Sequence, residues 1–182
     1  MIVLRNLGIM KKCNLWINEK PNIEYKCIEQ LQKVILKNKW VKWDSVSYVL
    51  EVNLKHRHSS NYALLGISYK YEDTKKLVIK VNSSKEDEKI IENMLVSNFD
   101  EVHAGIPLEY SRYIMNVASN YLNSIDCSSG IITFDIGGHG YIGSSSSIFG
   151  LVAKILLRIL SYNNKSDIKE IEQIILKELN ER

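Results

Sequence analysis

The chain has 182 residues, 45% hydrophobic and 25% charged, with a net charge of +3. That is enough apolar material for one buried core, which excludes a disordered chain, and the positive balance is too mild to argue by itself for nucleic acid. Cys13, Cys27 and Cys127 are odd in number and widely spaced, which fits reduced thiols in a soluble cytoplasmic protein rather than a disulfide scaffold.

In chain order, "MIVLRNLGIMKKC" is interrupted by Arg5, Lys11 and Lys12 and has no small-residue cleavage site, so it does not read as a signal peptide. "IVLRNLGIM" is predicted as an opening strand. "EYKCIEQLQKVILKN" places Ile28, Leu31, Val34 and Ile35 at helical spacing, with Asn22 and Glu24 at its start, and predicts a helix. "WDSVSYVLEVNLKHR", "NYALLGISYKYE" and "KKLVIKVN" predict three strands, the last two separated by the turn-like "EDTKK". "SSKEDEKIIENMLVS" has Ser84 ahead of an acidic first turn and then Ile90, Ile91, Met94 and Leu95, the pattern of a capped amphipathic helix. "LEYSRYIMNVASNYLNS" after Pro107, the apolar "SIFGLVAKILLRIL" and the C-terminal "SDIKEIEQIILKELNER" predict three further helices, and "SGIITFDI" predicts a strand. The irregular mixture of strands and helices gives an α+β class. With Pro21 and Pro107 the only prolines and no low-complexity linker, residues 1–182 form a single domain. No segment approaches the ~20 apolar residues of a membrane span.

The stretch with the most chemistry in it is "GIITFDIGGHGYIGSSSSIFG". Ile132 and Phe134 alternate with Thr133 and Asp135, so one pair faces the core. The glycines Gly137, Gly138 and Gly140 permit a tight bend, and the serines begin the next helix. One reading is helix capping alone. Another is an anion site of amides and hydroxyls at Gly143, Ser144, Ser145 and Ser146. This second reading resembles the phosphate loop of the GHMP small-molecule kinases. Their early proline- and glycine-containing motif is not found in "MIVLRNLGIMKKCNLWINEKP", and a lone glycine–serine turn is a weak signal.

A second segment, "AGIPLEY" from Ala104 to Tyr110, adds another anchor. Gly105, Ile106, Pro107, Glu109 and Tyr110, then the strand "IITFDI", the segment "GGHGYI", Ser144 and Ser145, and Phe149 and Ala153 in the helix follow one another as in domain IV of elongation factor G. "SNYALLGISYKYE" resembles the first strand of that domain as the related ribosomal protection proteins write it. The resemblance covers about residues 49–160, leaving residues 1–48 as an extension and 166–182 as an added helix. It implies a two-layer sandwich, a mixed sheet covered by helices, with a left-handed βαβ crossover where such connections are ordinarily right-handed. It also implies a non-enzymatic, cytoplasmic, translation-related module without a cofactor, whose tip contacts ribosomal RNA. Carried over, the tip is Gly137, Gly138, His139, Gly140 and Tyr141, and Lys55 and Arg57 join it if the end of their strand lies alongside. Departures are Gly143 and Ser146, where elongation factor G carries acidic residues, a loop histidine one position early at His139, and no GxxxxGK[ST] anywhere.

Other constellations carry less. His56 and His58 alternate on a strand but lack a nearby cysteine or carboxylate cluster, so no metal site is expected. Trp40 and Trp43 among Lys37, Lys39 and Lys42 suit single-stranded RNA, but one tryptophan in the core with lysines reaching outward is the favoured reading. Asp135, His103, His139 and Ser144 have the residue types of a nucleophilic triad but lack a Gly-x-Ser-x-Gly elbow. Ile168, Ile171, Ile175 and Leu179 form a stripe on the last helix that a partner protein could cover.

Overall fold

The computed structural model describes residues 1–4, 7, 10–56, 59–162 and 167–181. The strands are β1 (Ile2–Leu4), β2 (Lys11–Ile17), β3 (Glu29–Ile35), β4 (Val46–His56), β5 (Ser59–Tyr71), β6 (Leu77–Ser83), β7 (Val102–Ala104) and β8 (Gly130–Gly140), and the helices are α1 (Leu108–Ser124), α2 (Ser146–Ser161) and α3 (Ile168–Asn180). One sheet runs β1-β2-β4-β5-β8-β6-β3, with β7 against the far end of β8. All pairings are antiparallel except β6 with β8, which is parallel and joined through α1. The class is α+β with a mixed, mostly antiparallel sheet.

The strands alternate as their sequences require. Tyr48, Leu50 and Val52 of β4, Ala63, Leu65 and Ile67 of β5, Leu77, Ile79 and Val81 of β6 and Phe134 of β8 share one face. They pack against Ile114, Ala118 and Leu122 of α1 and the apolar stripe of α2. Pro107 precedes α1, where its missing N–H costs nothing and its fixed φ of −51° suits the helix entry. Asp167 caps α3 by accepting from Lys169 N at 2.9 Å. Lys11 donates to the α3 C-terminal carbonyl of Leu179 and to Asn180 Oδ1, a cation at the negative helix end. The α3 stripe is turned inward. Ile171, Ile175 and Leu179 are buried in the helix-side core, and buried Glu178 is paired with Lys154 at 2.9 Å and with Arg158. Of the four stripe residues offered to a partner, these three are covered by the protein's own core, and Ile168 stays exposed.

Two predicted helices are not helices. Residues 29–35 form β3 at the sheet edge, where each residue has a ladder partner on β6. The apolar residues split accordingly, with Leu31 and Ile35 toward the helices and Ile28 and Val34 exposed. Residues 84–101 contain no helix. Their backbone bonds outward instead, through Ile91 N to Val102 O at 2.7 Å, Ala104 N to Lys89 O at 2.8 Å and Leu95 N to Glu51 Oε1 at 2.7 Å. Tertiary partners outweigh the modest helix preference of such a segment.

That irregular segment, with residues 18–28, covers the other face of the sheet over Trp16, Val49, Tyr62, Leu64 and Ile136. Glu51 sits beneath it at 1% exposure. Its carboxylate accepts from Asn14 Nδ2 at 2.7 Å, Tyr62 Oη at 3.1 Å and the Leu95 amide. Burial raises the Glu51 pKa, and the three donors oppose that rise. The two tryptophans divide as the packing reading expects: Trp43 is in the core, edge-on to Tyr69 with ring centroids 5.6 Å apart, while Trp40 is half-buried.

Candidate functional site at the end of β8

The segment expected to be a projecting tip loop is mostly strand. Gly138 pairs with Leu64 of β5 on one side, and Gly138, His139 and Gly140 pair with Ala104, His103 and Val102 of β7 on the other. Gly137, Gly138, His139 and Gly140 are all buried. The physical reason is the third strand β7, which the sequence gives only as "VHA" and which closes over the last residues of β8. Glycine is required by contact here. A Cβ on Gly137 would lie 2.3 Å from Ile106 Cγ1 and 2.7 Å from the backbone oxygen of Gly105. The projecting residues are Tyr141 at 78% exposure and Ile142 at 82%.

The turn from Tyr141 to Ser145 is tied down from within. The Asp100 carboxylate accepts from Ile142 N at 3.1 Å and Gly143 N at 2.8 Å. Ser144 Oγ accepts from Gly140 N at 2.8 Å and donates to Tyr62 O at 2.6 Å. Ser145 caps α2, accepting from Ile148 N at 3.5 Å, and Ser146 Oγ donates to Glu109 Oε1 at 2.8 Å, joining the starts of α1 and α2. The serine run is therefore chiefly local bonding. A phosphate at Gly143 would have to displace the carboxylate of Asp100, which already meets the amides there.

His139 stacks on His103, with ring centroids 5.8 Å apart. Its Nδ1 is 3.3 Å from Gly105 O and its Nε2 3.1 Å from Glu86 O. A neutral imidazole donates from one nitrogen, so it satisfies one of these carbonyls at a time, and only the cation bonds both. Burial lowers its pKa, and the two carbonyls oppose that. His103 Nδ1 lies 2.9 Å from Glu88 O, while its Nε2 has no hydrogen-bond partner and sits 3.8 Å from Glu101 Oε2. A cleft of about 390 Å³ opens beside the pair and is lined by Glu86, Asp87, Glu109, Tyr110 and Tyr141. The triad reading does not assemble. Asp135 is exposed on β8, and the hydroxyl of Ser144 is held by two backbone groups. No group of three or more metal-ligating side chains occurs among the described residues, and His58 lies outside them.

Lys55 does lie beside the tip, through a residue that sequence reasoning missed. Its Nζ is 4.7 Å above the ring of Phe99, a residue 73% exposed. Phe99 lines a second cleft, of about 450 Å³, with Tyr141 and Ile142. Phe99 and Asp100 gave no signal in the sequence, because a lone aromatic beside an acid in a polar stretch has no periodicity, and its partners are about 42 positions away in the chain. Arg57 lies outside the described residues. No helix among the described residues is long and apolar enough to cross a membrane.

The chain matches no protein-family model, no curated protein and no solved structure.

Proposed function

We propose that this chain is a non-enzymatic binding module, associated with the ribosome or ribosomal RNA, that presents the Tyr141–Ile142 turn to its target as domain IV of elongation factor G presents its tip. The observation that carries the reading is the cluster at one end of the molecule, where Phe99, Tyr141 and Ile142 project and Lys55 stands over Phe99. Aromatic faces next to a cation suit stacking on unpaired bases with charge to the phosphates. The strand order β4-β5-β8-β6, with α1 between parallel β6 and β8 and α2 after β8, supports the resemblance, which in turn implies a left-handed crossover. The tip in this reading is narrower than the residues 137–141 of the sequence expectation. Tyr141, Ile142, Phe99 and Lys55 make the contacts, and buried His139 and the glycines hold them in place. The phosphate-ligand alternative at Gly143–Ser146 is disfavoured by the bonds of Asp100.

Co-sedimentation with ribosomal subunits across a salt series tests this. Pelleting that falls as salt rises, and falls further in a Phe99→Ala, Tyr141→Ala double variant, is the expected result. No pelleting at low salt overturns the proposal. Pelleting that ignores both salt and the variants assigns the contact to another surface and overturns it equally.

A further inference from the structure

The strand β3 forms one edge of the sheet, bonded to β6 on one side only. Every second N–H and C=O along its other side therefore points away from the molecule, a template for another strand. Glu29, Leu31 and Lys33 lie on the face toward α1, opposite Ser83, Val81 and Ile79 of β6, while Gln30, Gln32 and Val34 lie on the other face. Glu29 and Lys33 are exposed, as are the apolar Ile28 and Val34.

We propose that β3 is a homodimerisation edge, pairing antiparallel with β3 of a second copy about a two-fold axis at Leu31. In that register Glu29 stands opposite the partner's Lys33, and Lys33 opposite the partner's Glu29, so the symmetry makes the ion pair twice. Leu31 meets its own copy, Gln30 meets the partner's Gln32, and Ile28 meets the partner's Val34. Directly opposed residues of an antiparallel pair share a face, so each match is between side chains on the same side of the joined sheet. Centring the axis one residue later, on Gln32, sets Glu29 against the partner's Ile35 and Lys33 against the partner's Leu31. Charge therefore selects the Leu31 register. Main-chain bonds supply affinity and these side chains supply register in such an addition of strands, and the self-matching patch is what a two-fold dimer requires. A seven-residue edge is a small interface, so the dimer is weak and concentration-dependent.

Analytical ultracentrifugation of the whole chain over a concentration series is the test. The wild type is expected to show a monomer–dimer equilibrium. Lys33→Glu places like charges opposite each other at both symmetric positions and weakens association roughly tenfold or more. Glu29→Lys does the same, and the double exchange Glu29→Lys, Lys33→Glu restores it. Circular dichroism checks that each variant is folded, which the exposure of both side chains favours. A monomer at every concentration overturns the proposal, and so does a dimer of equal strength in all three variants, because the contact then lies elsewhere. β3 contributes no residue to the Tyr141 turn, so subunit pelleting and dimerisation succeed or fail independently.

Discussion

The two faces of the sheet are covered by different means. On one face, α1 and α2 satisfy their own backbone internally and need from the sheet only apolar surface, supplied by residues such as Leu50, Ile79 and Phe134. On the other, residues 84–101 bond to themselves only in the turn from Met94 to Asp100, so the sheet must supply both donors and acceptors. Glu51 takes the Leu95 amide, and the carbonyls of Glu86 and Glu88 lie at the two histidines. An irregular cover thus draws on buried sheet side chains for its backbone bonds, whereas the buried Glu178 of the helical face pairs with the side chains of Lys154 and Arg158. A buried polar group makes that face sensitive to single substitutions and to pH.

The largest expected effect belongs to the helical face. Phe149→Ala removes a fully buried ring stacked on Tyr110 at 4.8 Å and should cost about 3–5 kcal/mol in denaturant unfolding. Glu51→Ala strands three donors under the irregular cover and should cost about 2–3 kcal/mol, whereas Glu51→Gln keeps an acceptor for Leu95 and should cost less. If alanine and glutamine are equally damaging, the carboxylate oxygens are not what holds the segment. The same residue carries a pH signature. Its pKa is raised in the fold, so the stability it contributes is present below its unfolded pKa and is lost as pH rises through the folded value. Glu51→Gln should flatten that decline in unfolding free energy measured from acid to neutral pH. Asp100→Ala frees the Ile142 and Gly143 amides near solvent and should cost about 1 kcal/mol, with faster amide exchange confined to the turn. The smallest effect is Ser146→Ala, within about 0.5 kcal/mol by thermal melting, since its bond to Glu109 is exposed.

The helical face was also the more legible in the sequence. α1, α2 and α3 announce themselves by periodicity, and β4, β5, β6 and β8 by alternation bounded with turn residues, all local signals. β3 misled because Ile28, Leu31, Val34 and Ile35 fit a helix as well as an edge strand, and nothing in the segment reveals that β6 waits for a partner. Residues 84–101 misled for the same reason, their amphipathic pattern serving to wrap over a sheet rather than to coil. At the site, Tyr141 and Lys55 were legible as residue types. The burial of His139 was not, since it depends on the three-residue strand β7, and Phe99 and Asp100 enter only through contacts distant in the chain.

The position of β8 has a consequence for how the protein is made. It is the last of the described strands, yet it lies at the middle of the sheet, bonded to β5, β6 and β7. Until residue 130 is synthesised, β1-β2-β4-β5 and β6-β3 are two separate ribbons with no ladder between them. A nascent chain therefore carries two open seams until β8 emerges, and its closure waits on pairings of long sequence separation, which fold slowly.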